Sequence, residues 1–208
     1  MTERLDLFAT PILKARHPNA DALNAALKTV IARRRAEDPA GIARSNHGGW
    51  HSDTDMVGWG GEAAMALAEF AGQVAGAHLK DVAAAKRDFT WRCEMWTNIN
   101  PPGASNQMHC HPFCLWSGVY YVEPGGADTA QSGGELVLED PRFPMAYNTV
   151  PDLLLTNADG TPMRSQTGIR PQAGLLVLFP SWLRHSVRPH PGPGERISVA
   201  LNLSVVPA

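Results

Sequence analysis

Glu195-Arg196-Ile197-Ser198-Val199-Ala200-Leu201-Asn202-Leu203-Ser204-Val205-Val206 alternates over its whole length. Successive side chains of a strand point to opposite sides. Ile197, Val199, Leu201, Leu203 and Val205 therefore share one face, and Arg196, Ser198, Ala200, Asn202 and Ser204 share the other. The aliphatic face is made to pack on a core. The other face is polar and carries an arginine, so it has something to line. In a small barrel the inner face of such a strand encloses a ligand cavity.

Residues 88 onward repeat this kind of element. Residues 89–96 alternate, and 115–122, 135–139, 166–170 and 174–179 are further strand candidates. Gly, Pro, Asp and Asn turns separate them, and most of the 17 prolines lie in this half. The first half reads as helical. Residues 20–37 place Leu23, Leu27, Val30 and Ile31 at helical spacing, with Asn19 as a cap and Pro39 just beyond. Residues 62–82 repeat the pattern more weakly through Met65, Phe70, Val74 and Leu79. Between them the glycines and Trp50 of residues 45–53 mark an ordered loop. Helices first and strands after predict an α+β, mainly β fold with the N-terminal helices packed on one sheet. One domain is expected over residues 1–208, with 1–87 mainly helical and 88–208 forming the β core.

The composition excludes several function classes. With 208 residues, 44% hydrophobic and 18% charged, the chain suits one globular domain. A formal net charge of -2 gives no electrostatic case for nucleic acid or an anionic membrane. No stretch reaches the length of a membrane span, and the acids of Met1-Thr2-Glu3-Arg4-Leu5-Asp6 are unlike a signal peptide. Cys93, Cys110 and Cys114 are odd in number and lack zinc spacing, which predicts free thiols in a reducing cytoplasm. Arg33-Arg34-Arg35 reads as a solvated run at a helix C-terminus. A homodimer is the expected assembly, as the commonest symmetric state.

The chemistry concentrates in three histidines. In an extended segment, His109 and His111 point the same way, while Cys110 between them points away. His185 follows the strand and turn of residues 174–180, which can return it to the same place. Neutral imidazoles are metal ligands, and three of them on one side leave positions open for co-substrate and oxygen. Eleven residues beyond His185 stands Arg196, with Ser198 on the same strand face. A buried arginine is costly unless it meets an anion, and its planar fork matches a carboxylate. The strand suits the far carboxylate of a dicarboxylic acid whose other end chelates the metal.

The order His109-x-His111 … His185 … Arg196-x-Ser198 resembles the 2-oxoglutarate/Fe(II) oxygenase superfamily. The wider context includes Trp96-Thr97-Asn98, Asn106, Ser117-Gly118-Val119-Tyr120-Tyr121-Val122, Ser132-Gly133-Gly134, Phe179-Pro180-Ser181 and Asn202. It looks like a bacterial subfamily of such oxygenases and is similar, at greater distance, to prolyl hydroxylases. The resemblance implies a double-stranded β-helix (a jelly roll, cupin-like). It also implies Fe(II), with 2-oxoglutarate and O2 as co-substrates, and hydroxylation of a substrate with release of succinate and CO2. The C5 carboxylate of 2-oxoglutarate would lie on Arg196, with Ser198 and Tyr121 as further contacts. Asn98 and Asn202 are candidate polar contacts inside the barrel, beside Trp96.

One departure matters: the superfamily usually has a carboxylate where this chain has His111. Either the site uses three histidines, or His111 does not ligate and Glu135, Glu139 or Asp140 supplies a distant carboxylate. Two rival readings remain. A three-histidine cupin-type enzyme (dioxygenase, isomerase or lyase) fits Gly103, His109, His111 and the spacing of Gly174, Pro180 and His185. It lacks that family's glutamate and gives no reason for Arg196. A non-catalytic metal-binding module would use Cys110 or Cys114. His47 and His51 read as structural or gate-lining, and His190, in a Pro/Gly turn, as solvated. His17 and His78 show no partner. Segments 45–60 and 140–168 would select the primary substrate, a small molecule or peptide, and carry no motif that names it.

Overall fold

The computed structural model describes residues 3–83, 88–129, 133–142, 150 and 152–207. In chain order its elements are β1 (Leu13–Arg16), α1 (Ala20–Glu37), β2 (Asn46–His47), β3 (Trp50–His51), α2 (Met56–Trp59), α3 (Gly61–Gly76), β4 (Phe89–Asn100), β5 (Ser105–His109), β6 (Trp116–Glu123), β7 (Leu136–Glu139), β8 (Gln166–Ile169), β9 (Leu175–Pro180), β10 (His185–Val187) and β11 (Arg196–Pro207). They form two antiparallel sheets, ordered β1-β9-β6-β11-β4-β3 and β2-β5-β10-β7-β8. The architecture is a double-stranded β-helix with helices on one sheet.

The long alternating strand is the centre of the larger sheet. β11 pairs with β4 from Arg196↔Asn100 to Pro207↔Phe89, and with β6 on its other side. Its alternation separates two cores. Val199, Leu201 and Leu203 pack outward with Leu27 and Ile31 of α1 and Leu67 and Ala71 of α3. The inner core, between the sheets, holds Val119, Tyr121, Leu136, Leu138, Val177 and Phe179. β6 and β9 serve both cores: Tyr120, Leu176 and Leu178 face the helices, while Tyr121, Val177 and Phe179 face inward. That explains their near-continuous apolar sequences. Truncating a fully buried leucine such as Leu201 costs about 2–5 kcal/mol.

Close approach of α1 to the sheet depends on Gly174. Its φ is +82°, and a Cβ there would meet the Ala20 Cβ at 2.4 Å. Glycine alone meets both demands comfortably.

Several expectations need correction. The N-terminal part is not only helical, because β1 and β3 extend the larger sheet and β2 borders the smaller one. These pieces are two to four residues long, too short for periodicity to reveal. α1 has the predicted span, but the Asn19 side chain makes no cap bond; its backbone N–H donates to His17 Nδ1 instead. His17 also meets Phe70 edge-on, so it does have partners. α3 stops at Gly76, and Val82 is exposed. The arginine run is not merely solvated: Arg34 pairs with Asp53 and Arg35 with Glu195, which ties α1 to the loop before α2 and to the start of β11. No helix among the described residues is long and apolar enough to cross a membrane. Ser132, residues 143–149 and residue 151 lie outside the described residues.

Candidate metal and ligand site

β5 ends on His109 where β10 begins on His185, and the two are register partners. His111 lies two residues past β5. Its N–H donates to Ser181 O at 2.9 Å, and Ser181 N–H donates to Leu115 O at 3.3 Å, so the loops after β5 and β9 are laced together. Ring centroids are 4.3 Å apart for His109–His185, 4.8 Å for His109–His111 and 5.2 Å for His111–His185. One ring nitrogen from each lies within 4.8 Å of the others, a spacing that one metal ion can bridge.

The chemistry of these rings suits a metal. His109 Nδ1 lies 2.6 Å from Gln107 O, and His185 Nδ1 lies 2.9 Å from Leu183 O. A carbonyl only accepts, so Nδ1 carries the proton in both and Nε2 keeps its lone pair for a ligand. Burial lowers the pKa of His109. Burial, then the charges of His109 and Arg44, pushes His111 down to about 4. Burial and the His109 charge push His185 down to about 3. The imidazoles are neutral at physiological pH and so available as donors.

No carboxylate joins the group among the described residues. Glu139 pairs with Arg184 at 2.7 Å, Asp140 with Arg142 at 2.7 Å, and Glu135 approaches Arg170 at 4.0 Å while accepting from Gly133 N–H. The acids named as substitutes are thus engaged elsewhere. Cys110 is exposed and outside the group, as its parity predicted, and Cys93 and Cys114 are free.

The same cavity contains the arginine. Its lining includes His109, His111, His185, Trp96, Asn98, Asn106, Ser117, Arg196 and Ser198. Arg196 is only 1% exposed. Among the described residues its one hydrogen bond, from Nη1 to Asn100 Oδ1, is long at 3.4 Å, and Nε has no partner. Among the described residues no acid pairs with it. Burial lowers its pKa, against the opposing influence of Tyr121. The Tyr121 ring lies 5.5 Å from Arg196 Cζ. Tyr121 and Arg196 are near enough to shift each other's titration, yet the buried hydroxyl meets no partner at hydrogen-bonding geometry. A buried cation without its anion and a buried hydroxyl without a partner are the complement of a carboxylate. The residues present therefore fit a ligand with one carboxylate here and a chelating end at the histidines.

Ser198 faces Asn98 on β4 and Tyr121 on β6, so the three form one row across the sheet. Asn98 lines the cavity and receives a weak 3.5 Å bond from Asn106. Asn202 is buried and is not among the residues lining this cavity; it accepts a 2.8 Å bond from the cavity-lining Ser117. It supports the site without lining it.

Two histidines behave differently from their sequence reading. His190 is not solvated but 2% exposed, with Nε2 donating to Gly194 O at 2.7 Å, because its turn folds back onto Gly125 and Gly133. His51 is buried; its Nδ1–H is held by Ser52 O and its ring stacks on Trp96 at 5.8 Å. Trp96 in turn lies 5.5 Å from His111. His47, four residues earlier, is exposed. Only the parity of Trp96 with Asn98 hinted at this aromatic wall.

A family model described as "Putative 2OG-Fe(II) oxygenase" matches residues 94–202. No curated protein sequence matches. Among solved structures, a prolyl-4-hydroxylase from Pseudomonas putida is similar at 25% identity and a TM-score of 0.55, over 93% of this chain and 91% of that one. A prolyl hydroxylase from Trichoplax adhaerens, in complex with a peptide fragment of a hypoxia inducible factor degradation domain, aligns at 14% identity and a TM-score of 0.62, over 93% and 83%. HygX from Streptomyces hygroscopicus, with nickel, 2-oxoglutarate and hygromycin B bound, aligns at 11% identity and a TM-score of 0.58, over 94% and 83%. The last two likenesses are likenesses of fold.

Proposed function

Because this chain belongs to the 2-oxoglutarate/Fe(II) oxygenase family, for which iron(II) is the metal and 2-oxoglutarate and O2 are the co-substrates, we propose that it is a hydroxylase with a three-histidine metal site. His109, His111 and His185 hold the metal. Arg196, with Ser198 and Tyr121, holds the far carboxylate of 2-oxoglutarate. When bound, the iron and 2-oxoglutarate activate O2, with release of succinate and CO2 and oxidation of a C–H bond of the substrate to an alcohol.

The chain's own contribution is positioning. The carbonyls of Gln107 and Leu183 fix two ligand tautomers. β11 sets the arginine at a fixed distance along the barrel from the β5–β10 pair. Phe179 packs against the His185 ring at 4.7 Å and keeps that side of the cavity dry. His111, in place of the usual carboxylate, leaves the ligand set neutral.

One observation carries this reading: a fully buried arginine without an acid shares a cavity with three neutral, converging imidazoles. The cupin reading gives Arg196 no purpose, and the zinc-module reading needs a cysteine that the group does not contain. The test requires no knowledge of the substrate. Iron-loaded protein should bind 2-oxoglutarate without oxygen, giving a weak visible charge-transfer band, and should slowly release succinate in air. Arg196→Ala should lose both and keep its iron. A wild type with neither band nor succinate at millimolar 2-oxoglutarate would overturn the proposal.

A further inference from the structure

The segment between α1 and α2 borders the cavity mouth, and its course is fixed by backbone bonds. Ile42 N–H donates to His51 O at 2.8 Å, and Gln107 N–H donates to Ser45 O at 2.8 Å. β2 then pairs with β5 through Asn46↔Asn106 and His47↔Ser105. Arg44 sits between these ties, its own N–H bonded to Asn46 Oδ1 at 2.8 Å, and the next residue, Ser45, lines the cavity. The Arg44 side chain is exposed. Among the described residues its guanidinium has no ion-pair or hydrogen-bond partner, whereas Arg34, Arg35 and Arg184 each hold an acid.

Arg44 thus adjoins a residue that lines the cavity together with Trp96 and His111. Trp96 lines the cavity, with the buried His51 stacked on its ring and His111 5.5 Å away. No carboxylate lines the cavity among the described residues. With neutral imidazoles, iron(II), 2-oxoglutarate and Arg196 together leave the buried site one net positive charge. A ligand set with the usual carboxylate would balance it. An unbalanced buried charge favours a further anion nearby.

We infer that the primary substrate is an organic acid whose anionic group, a carboxylate or a phosphate, is held by Arg44 at the cavity mouth while its apolar body lies along Trp96. The inference rests on the oxygenase reading and names the substrate class of that same site. Arg44 is a binding residue here, outside the metal and 2-oxoglutarate machinery.

The test uses iron(II)-loaded protein saturated with 2-oxoglutarate under argon, and three probes: 4-fluorophenylacetate, 4-fluorophenyl phosphate and neutral 4-fluorophenylacetamide. Fluorine NMR line widths report proximity to the paramagnetic iron, and titration gives affinity without turnover. At least one anion should be broadened more than the amide, and the stronger of the two identifies the preferred group. Arg44→Gln should weaken anion binding roughly three- to tenfold, the range for a partly exposed charged contact. Arg44→Lys should restore part of it. Iron content, the 2-oxoglutarate band and amide broadening should not change. Equal broadening by acids and amide, no broadening by any probe while the band is present, or an Arg44→Gln protein that binds anions like the wild type would each overturn the inference. Loss of the band in the wild type would instead overturn the oxygenase reading, and this one with it.

Discussion

His109 and His185 are direct cross-strand partners at the junction of β5 and β10, with ring centroids 4.3 Å apart. One ladder position thus brings together two residues far apart in sequence, and neither can move without breaking the register. His111, held by Ser181 O, completes the group from outside the ladder.

Each histidine-to-alanine change should therefore lower iron affinity by at least about tenfold, since losing even an outer-shell partner has that effect. Elemental analysis after dialysis against equimolar iron measures it. Stoichiometric iron in His111→Ala would show that the site does not use three histidines.

Arg196 should cost the empty protein stability and gain it back with ligand. Replacing a buried charge that lacks a partner by a similar-sized apolar residue stabilises by about 1–4 kcal/mol. Arg196→Met should melt above the wild type without 2-oxoglutarate. It should bind 2-oxoglutarate roughly 30- to 1000-fold more weakly, the worth of desolvated charged hydrogen bonds. Melting curves with and without 2-oxoglutarate, on iron-loaded protein, test both halves. A variant less stable than the wild type, and still shifted by 2-oxoglutarate, would contradict this account.

Asp53 should make stability depend on acid. Burial works to raise its carboxyl, but the Trp59 and Asp55 N–H groups and Arg34 outweigh burial and hold it below its ordinary 3.8. A depressed folded value stabilises above the unfolded value, and the contribution fades as pH falls through the folded one. Asp53→Asn should thus lower stability at pH 7 by about 1 kcal/mol, as for a partly exposed charged contact. As pH falls below the ordinary value of 3.8 and on through the depressed folded value, the two proteins should converge. A gap that persists unchanged in acid would mean that the charge is not responsible.

The cysteines should differ in reactivity. Burial, and then Glu94, pushes the Cys93 thiol up to about 12, so little of it is thiolate near pH 8. Cys110 is exposed. A disulfide reagent at pH 8 should modify Cys110 rapidly and Cys93 only after unfolding, as peptide mapping would show. Rapid labelling of native Cys93 would contradict the burial described.

The last strand was legible because one face lines a cavity and the other packs on helices, so polar and aliphatic residues alternate with the period of two that defines a strand, although both faces are buried over most of its length. β6 and β9 were legible as apolar runs, though not as two-faced. β1, β2, β3 and β10 were not, since a few residues cannot display a period, and their pairing is set by neighbours remote in sequence. His190 misled for a related reason: a Pro/Gly turn looks solvated until the tertiary fold places another loop over it.

The sequence by itself determined the kind of site: three histidines and an inward arginine whose strand parity is local geometry, independent of what surrounds it. It also determined the helices-then-strands order, because both periodicities are carried within single segments. Tertiary structure alone decided three things. Glu135, Glu139 and Asp140 each face another arginine, so among the described residues the candidate ligand group is histidine only. Asn202 bonds to a cavity-lining serine without lining the cavity itself. Ser45 reaches the cavity through a loop, and His51 stacks on the cavity-lining Trp96. These outcomes depend on cross-strand register and loop placement, which are fixed by the summed packing of distant segments and leave no periodic trace in any one of them.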